Sequence, residues 1–274
     1  MKKYFAVLII ITSFSYAQTD SSTAQTDSST WKHNLVAGLT ATQGSFSNWA
    51  GGGENTLSYT SVIDGKSVQE LESTNWSNSY KLAYGQTRLG SKPLRKSEDK
   101  FEFESVLTYK LGTFINPYVA TTLKSQFDVG YKYNDSAGTQ TPRSRFWAPA
   151  YLTQSVGIGY HPVPQITTRL GAALREVRSR AGYIENNRTE GGFESVTDAQ
   201  FSFEENLLFS SKLELFAPIN NIGVVILRSD NSFTAKVTKI ISVTLNVQLI
   251  NDANVTARTQ IKETIALGIV YALI

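Results

Sequence analysis

The chain has 274 residues, 41% of them hydrophobic, 11% aromatic and 18% charged, with no cysteine and a single methionine, the initiator. That excludes a disulfide framework, thiol catalysis and a Cys-ligated metal, and no internal run reaches the ~20 apolar residues that a spanning helix requires. The formal net charge of +3 falls to +1 when the two charges of Lys2 and Lys3 are set aside, too near neutral for a nucleic-acid partner.

In chain order, residues 1–17 read as a secretory signal peptide. Lys2 and Lys3 supply the charged start, Tyr4 to Phe14 the apolar run, and Ser15-Tyr16-Ala17 a small-x-small cleavage site. The apolar run is too short for an uncleaved spanning anchor. No cysteine follows the cleavage site, so no thiol is present to carry a lipid. Residues 18–30 belong to a tandem duplication, Ala17–Thr23 repeated as Ala24–Thr30. Small and polar throughout, this stretch is expected to be a disordered periplasmic linker.

From Trp31 to the end the chain reads as one domain with a hydrophobic period of two. Val119, Thr121, Leu123, Ser125, Phe127, Val129 and Tyr131 alternate with Ala120, Thr122, Lys124, Gln126, Asp128 and Gly130. Phe101, Phe103, Leu107 and Tyr109 alternate in the same way with Glu102, Glu104 and Thr108, and Ile241, Val243, Leu245, Val247 and Leu249 with Ser242, Thr244, Asn246 and Gln248. The pattern predicts strands over 34–43, 54–63, 74–84, 99–110, 117–133, 147–160, 165–177, 192–204, 206–217, 222–237, 240–250 and 259–273. Many of these runs match the ~9–11 residues of a strand tilted across a bilayer, against ~5–6 in a soluble sandwich.

Short connections at His161–Pro164, Glu205 and Thr238–Lys239 alternate with long ones at 85–98, 134–146 and 178–191. The expectation is an all-β, antiparallel transmembrane β-barrel of about twelve strands, with short periplasmic turns, longer outer loops and both termini in the periplasm. The location implied is the outer membrane of a Gram-negative cell. The last strand alternates Ile265, Leu267, Ile269, Tyr271 and Leu273 with small or aliphatic residues and ends at Ile274.

Several segments carry a resemblance. Asn48–Asn55, Trp76, Tyr84-Gly85, Arg95–Asp99 and Lys124–Phe127, together with Ser211–Phe216, Ile241–Val243 and Lys262-Glu263, are similar to an uncharacterised bacterial family, domain of unknown function 3078. The resemblance implies an outer-membrane barrel and no particular activity. Its usual members finish in an aromatic residue, from which the aliphatic Ile274 departs.

The chemistry-bearing residues are few. His33 and His161 are the only histidines, and neither has an evident Ser partner for a lipase-like pair or a cluster for a metal, so they read as rim and turn residues. The loop motif Asn48, Trp49, Gly51, Gly52 and Gly53 is followed by a strand pattern rather than the helix a phosphate cradle needs, so its glycines read as supplying positive φ. Parity places Lys81, Lys124, Lys132, Arg169, Arg175, Lys212, Lys236 and Lys262 inward against Glu102, Glu104, Asp128 and Glu214, a basic excess. Such a lumen is either cross-bridged and filled or a narrow path biased towards anions. Arg95, Lys96, Arg143, Arg145, Arg178, Arg180 and Arg188 are expected in outer loops, suited to phosphate groups.

Two functions follow: a non-enzymatic outer-membrane barrel with a structural, assembly or surface-interaction role, or a passive or selective porter for small anions. No cofactor and no metal is implied. The expected partners are outer-membrane lipid, lipopolysaccharide, and the barrel-insertion machinery during biogenesis.

Overall fold

The computed structural model describes residues 31–45, 47, 53–180, 182–183, 185–221 and 223–273. The signal peptide and linker expected over 1–17 and 18–30 lie outside the described residues, as do Asn48, Trp49, Gly51 and Gly52 of the loop motif.

Among the described residues fourteen strands form: β1 Trp31–Gly44, β2 Thr56–Glu70, β3 Thr74–Leu89, β4 Arg95–Tyr109, β5 Ile115–Ser125, β6 Gly130–Asn134, β7 Thr139–Ser144, β8 Ala150–Val163, β9 Ile166–Arg178, β10 Arg188–Glu204, β11 Leu207–Pro218, β12 Ile226–Lys236, β13 Ile241–Asn251 and β14 Gln260–Ala272. Twelve of them close into an antiparallel barrel in the order β1-β14-β13-β12-β11-β10-β9-β8-β5-β4-β3-β2, while β6 and β7 pair only with each other. Each wall strand corresponds to one of the twelve expected from the period-two pattern.

The expected strand over 117–133 is cut short at Ser125. The Gln126 amide donates to the carbonyls of Arg145 and Ala148. The backbone N–H groups of Phe127 and Asp128 donate to the Asp99 carboxylate. These bonds take the chain out of the wall, and it returns through the β6–β7 hairpin. The expected loop over 85–98 shrinks to a turn between Leu89 and Arg95, because β3 and β4 stay paired as far as Thr87 and Arg95. Gly90 adopts a φ of +57° there, a conformation that a residue with a Cβ rarely takes.

The two faces are inverted relative to a soluble protein. The outward face carries the large apolar side chains: Val119, Val156, Leu170 and Phe193 are exposed, and Ile265 is 78% exposed. A contiguous belt of this kind is a cost in water and a requirement in lipid. Trp76, Tyr109, Tyr160, Phe203 and Tyr271 stand exposed near the short-turn end, where aromatic residues form an interfacial girdle. The inward face is polar, and among the described residues the buried apolar cluster comprises Ala173, Phe216 and Ile226. No described helix is long and apolar enough to cross a membrane, which says nothing against crossing by strands.

Candidate functional site in the barrel lumen

Alternation along each strand turns one residue in two inward, and the tilt of the strands brings those side chains to similar depths. Contacts between strands that are not neighbours identify the inward set directly. Lys124 on β5 pairs with Glu214 on β11. Glu104 on β4 accepts from Arg169 on β9 at 2.5 Å and from Lys212 on β11 at 2.9 Å. Lys262 on β14 pairs with Glu98 on β4. Lys100 on β4 reaches Asp230 on β12 at 3.2 Å, with Lys81 at 3.7 Å from the same carboxylate. In the barrel order β4 and β12 are six positions apart among twelve, so the Lys100–Asp230 pair joins opposite walls.

Two residues expected in this cluster lie elsewhere. Lys132 is on β6, outside the wall. Asp128 follows the end of β5 and accepts from the Tyr84 hydroxyl at 2.8 Å. Both errors come from running the alternation beyond Ser125. Lys236 keeps the inward parity near the short-turn end, and Glu102 faces Lys124 and Lys81 across neighbouring strands.

The register also turns Asp64, Glu98, Lys100, Glu194, Asp198, Arg228 and Asp230 inward, none of which the sequence reading named. A stricter use of parity on β2, β4, β10 and β12 finds all seven. With them, the interior named here holds nine basic and eight acidic side chains, and the expected basic excess becomes near balance.

Towards the long-loop end, two carboxylates from connections are buried against inward-facing residues. Glu185, between β9 and β10, is 2% exposed and accepts from the Tyr151 hydroxyl at 2.9 Å and from Arg188 at 2.5 Å. Asp252, between β13 and β14, is fully buried and lies 3.3 Å from Arg175. Towards the short-turn end many inward positions are small or hydroxyl-bearing, among them Ser77, Ser79, Gly157, Gly159, Ser210, Ser232, Thr244 and Gly268.

The residues expected to present positive charge from outer loops are mostly engaged. Arg95 and Lys96 stand on β4. Arg95 pairs with Asp135 at 2.5 Å and lies over the Tyr133 ring, and Lys96 pairs with Asp99 at 2.7 Å. Arg178, the last residue of β9, pairs with Glu176, and Arg188, the first of β10, pairs with Glu185 and Glu190. Arg143 lies on β7, Arg145 just beyond it, and Arg180 in the β9–β10 connection, with Arg143 and Arg180 exposed.

The histidines both find hydroxyl partners. His161 Nδ1 is 3.1 Å from Thr167 Oγ1, and His33 Nδ1 is 2.9 Å from Ser67 Oγ, a cross-strand pair that the sequence reading missed because β1 and β2 had to be put in register first. Among the described residues, no group of three or more His, Asp or Glu is arranged to hold a metal.

Most of the N-terminal motif segments converge at the outer rim. Tyr84, Lys96, Asp99 and Asp128 bond to one another, directly or through backbone, and Gln86 bridges Tyr59 and Tyr84. Residues 41–131 match the family described as Protein of unknown function (DUF3078). The match ends before Ser211–Phe216, Ile241–Val243 and Lys262-Glu263, so the C-terminal part of the resemblance lies outside it. Within the matched range, these contacts accompany the departure of the chain from β5.

No curated protein matches the chain. Among solved structures, an outer membrane channel from Pseudomonas putida F1 is similar at 10% identity and a TM-score of 0.40, covering 88% of this chain and 93% of that one. The translocator domain of the autotransporter NalP from Neisseria meningitidis is similar at 8% identity and a TM-score of 0.36, covering 87% and 86%. The TodX monoaromatic hydrocarbon channel is similar at 8% identity and a TM-score of 0.34, covering 88% and 87%. The barrel assignment itself rests on the closed strand pairing.

Proposed function

We propose that this protein is a non-enzymatic outer-membrane barrel with a closed lumen, serving a structural, assembly or surface-interaction role rather than conduction. The observation that carries this reading is the Lys100–Asp230 pair between opposite walls, reinforced by Glu104 held between Arg169 and Lys212. Charges taken out of water must be paired or keep solvent. Here they are paired across the barrel, and the two long-loop carboxylates Glu185 and Asp252 are buried against inward-facing residues at one end. The near balance of charge removes the positive field on which an anion pathway would depend.

The surface role falls to the outer loops. The exposed Arg143 and Arg180 are the basic side chains best placed to meet lipopolysaccharide phosphates, since Arg95, Arg178 and Arg188 are already matched to carboxylates. Biogenesis through the barrel-insertion machinery completes the proposal. The test is reconstitution of the full chain into a planar bilayer with a salt gradient. The expected result is no steady current; a steady, ion-selective conductance would overturn the closed-lumen reading.

A further inference from the structure

Among the described residues, two of the inward cations named above form no ion pair: Lys236, near the short-turn end, and Arg228, at the level of the charged network. Arg228, on β12, faces its ladder neighbour Glu214 on β11, yet Glu214 is taken by Lys124 from across the lumen. The next acid, Asp252, is taken by Arg175 at 3.3 Å. Arg228's guanidinium instead lies 4.6 Å above the Tyr151 ring and forms a side-chain hydrogen bond with Tyr151. A guanidinium carries five donors in a fixed fork, and one tyrosine neither supplies the opposite charge nor satisfies the whole fork as a carboxylate would.

Arg228 also lines a cavity of about 50 Å³. Arg175 and Lys124 line the same cavity, with Tyr151, Phe216, Ile226 and Val196 supplying an apolar wall. Its two carboxylates are already committed, Glu214 to Lys124 and Glu194 to the Ser155 hydroxyl at 2.9 Å. The donor capacity left facing this space is therefore that of Arg228. A water molecule takes up about 30 Å³ in the liquid, so the space suits one compact group.

We infer that this cavity is a binding site for a small inorganic anion of about the size of chloride, held by Arg228 with Arg175 and Lys124 beside it. The anion completes the charge pairing of the lumen as a fixed constituent, and no transport is required of it. The site stands independently of the closed-lumen reading, because binding and conductance are read in separate experiments.

The probe is chloride, with gluconate, too large for the space, as the counterpart at equal ionic strength. The full chain, folded in detergent micelles, is titrated while the ³⁵Cl line width and the urea unfolding midpoint are followed. The expected result is saturable line broadening together with a higher midpoint in chloride than in gluconate. Arg228→Gln should abolish both effects, whereas Lys236→Gln, near the short-turn end, should retain both. If Arg228→Gln does not fold, Thr153→Leu serves instead, since it fills the cavity while leaving every charge in place and should remove the same broadening. Broadening that is unchanged in the variant that folds, or a wild-type chain that responds equally to both anions, would overturn the site.

Discussion

Replacing Glu104 by Gln tests the architecture of the lumen at its most connected point. The carboxylate accepts from Arg169 Nη2 at 2.5 Å and from Lys212 Nζ at 2.9 and 3.0 Å, and its side chain is only 13% exposed. The amide keeps the shape and one acceptor but removes the charge. Two cations then remain in the interior, with Glu194 and Asp198 each 3.8 Å from one of them as second-best partners. Removing one partner of a buried pair costs about 3–5 kcal/mol. The fallback carboxylates and the 30% exposure of Lys212 place this variant at the lower end, about 3 kcal/mol. Urea unfolding of the chain in lipid vesicles, followed by tryptophan fluorescence, should show a lower midpoint with an unchanged slope. Adding Arg169→Met should cost less than the sum of the two single changes, because each removes the other's stranded charge. A Glu104→Gln barrel within about 0.5 kcal/mol of wild type would mean that water already solvates these cations and that the lumen is open.

Two further predictions concern the barrel seam and the outer rim. The β1–β14 seam is in register from Val36↔Ala272 to Thr40↔Gly268, with one further bond from Leu273 to the Leu35 carbonyl, and stops short of Gln43, so Leu39→Cys with Ile269→Cys should oxidise to a disulfide while Gln43→Cys with Ile265→Cys should not. The chain has no native cysteine to confuse the readout, and equal cross-linking of both pairs would show that the seam is closed along its length. At the rim, hydrogen bonds from Arg95 and Lys92 lower the pKa of Asp135 from 3.8 to about 2. Because the folded value lies below the unfolded one, the contribution is fully present above the ordinary carboxylate range and is lost as pH falls towards 2. Limited proteolysis between β6 and β7 should rise on acidification with an acid-stable protease, and Asp135→Asn should show the same rise at neutral pH. An unchanged cleavage pattern in that variant would refute the role given to Asp135.

The sequence determined the class of this protein because its information is local. Period-two alternation over runs of ten or more residues fixes which face of each strand meets lipid, and the spacing of short and long connections fixes the up-and-down order. The twelve wall strands were therefore legible, and so was the inward orientation of Glu104, Lys124, Arg169, Lys212 and Glu214. Alternation says nothing about which inward residues share a depth, because depth depends on register and tilt. Only the closed barrel brought Lys100 to Asp230, His33 to Ser67 and Asp252 to Arg175, in each case across more than thirty residues of sequence. Only the tertiary structure ended β5 at Ser125, since the Asp99 carboxylate that captures the Phe127 and Asp128 amides belongs to another strand. The unpaired state of Arg228 likewise follows from competition among cations for Glu214 and Asp252, which exists once the strands have met.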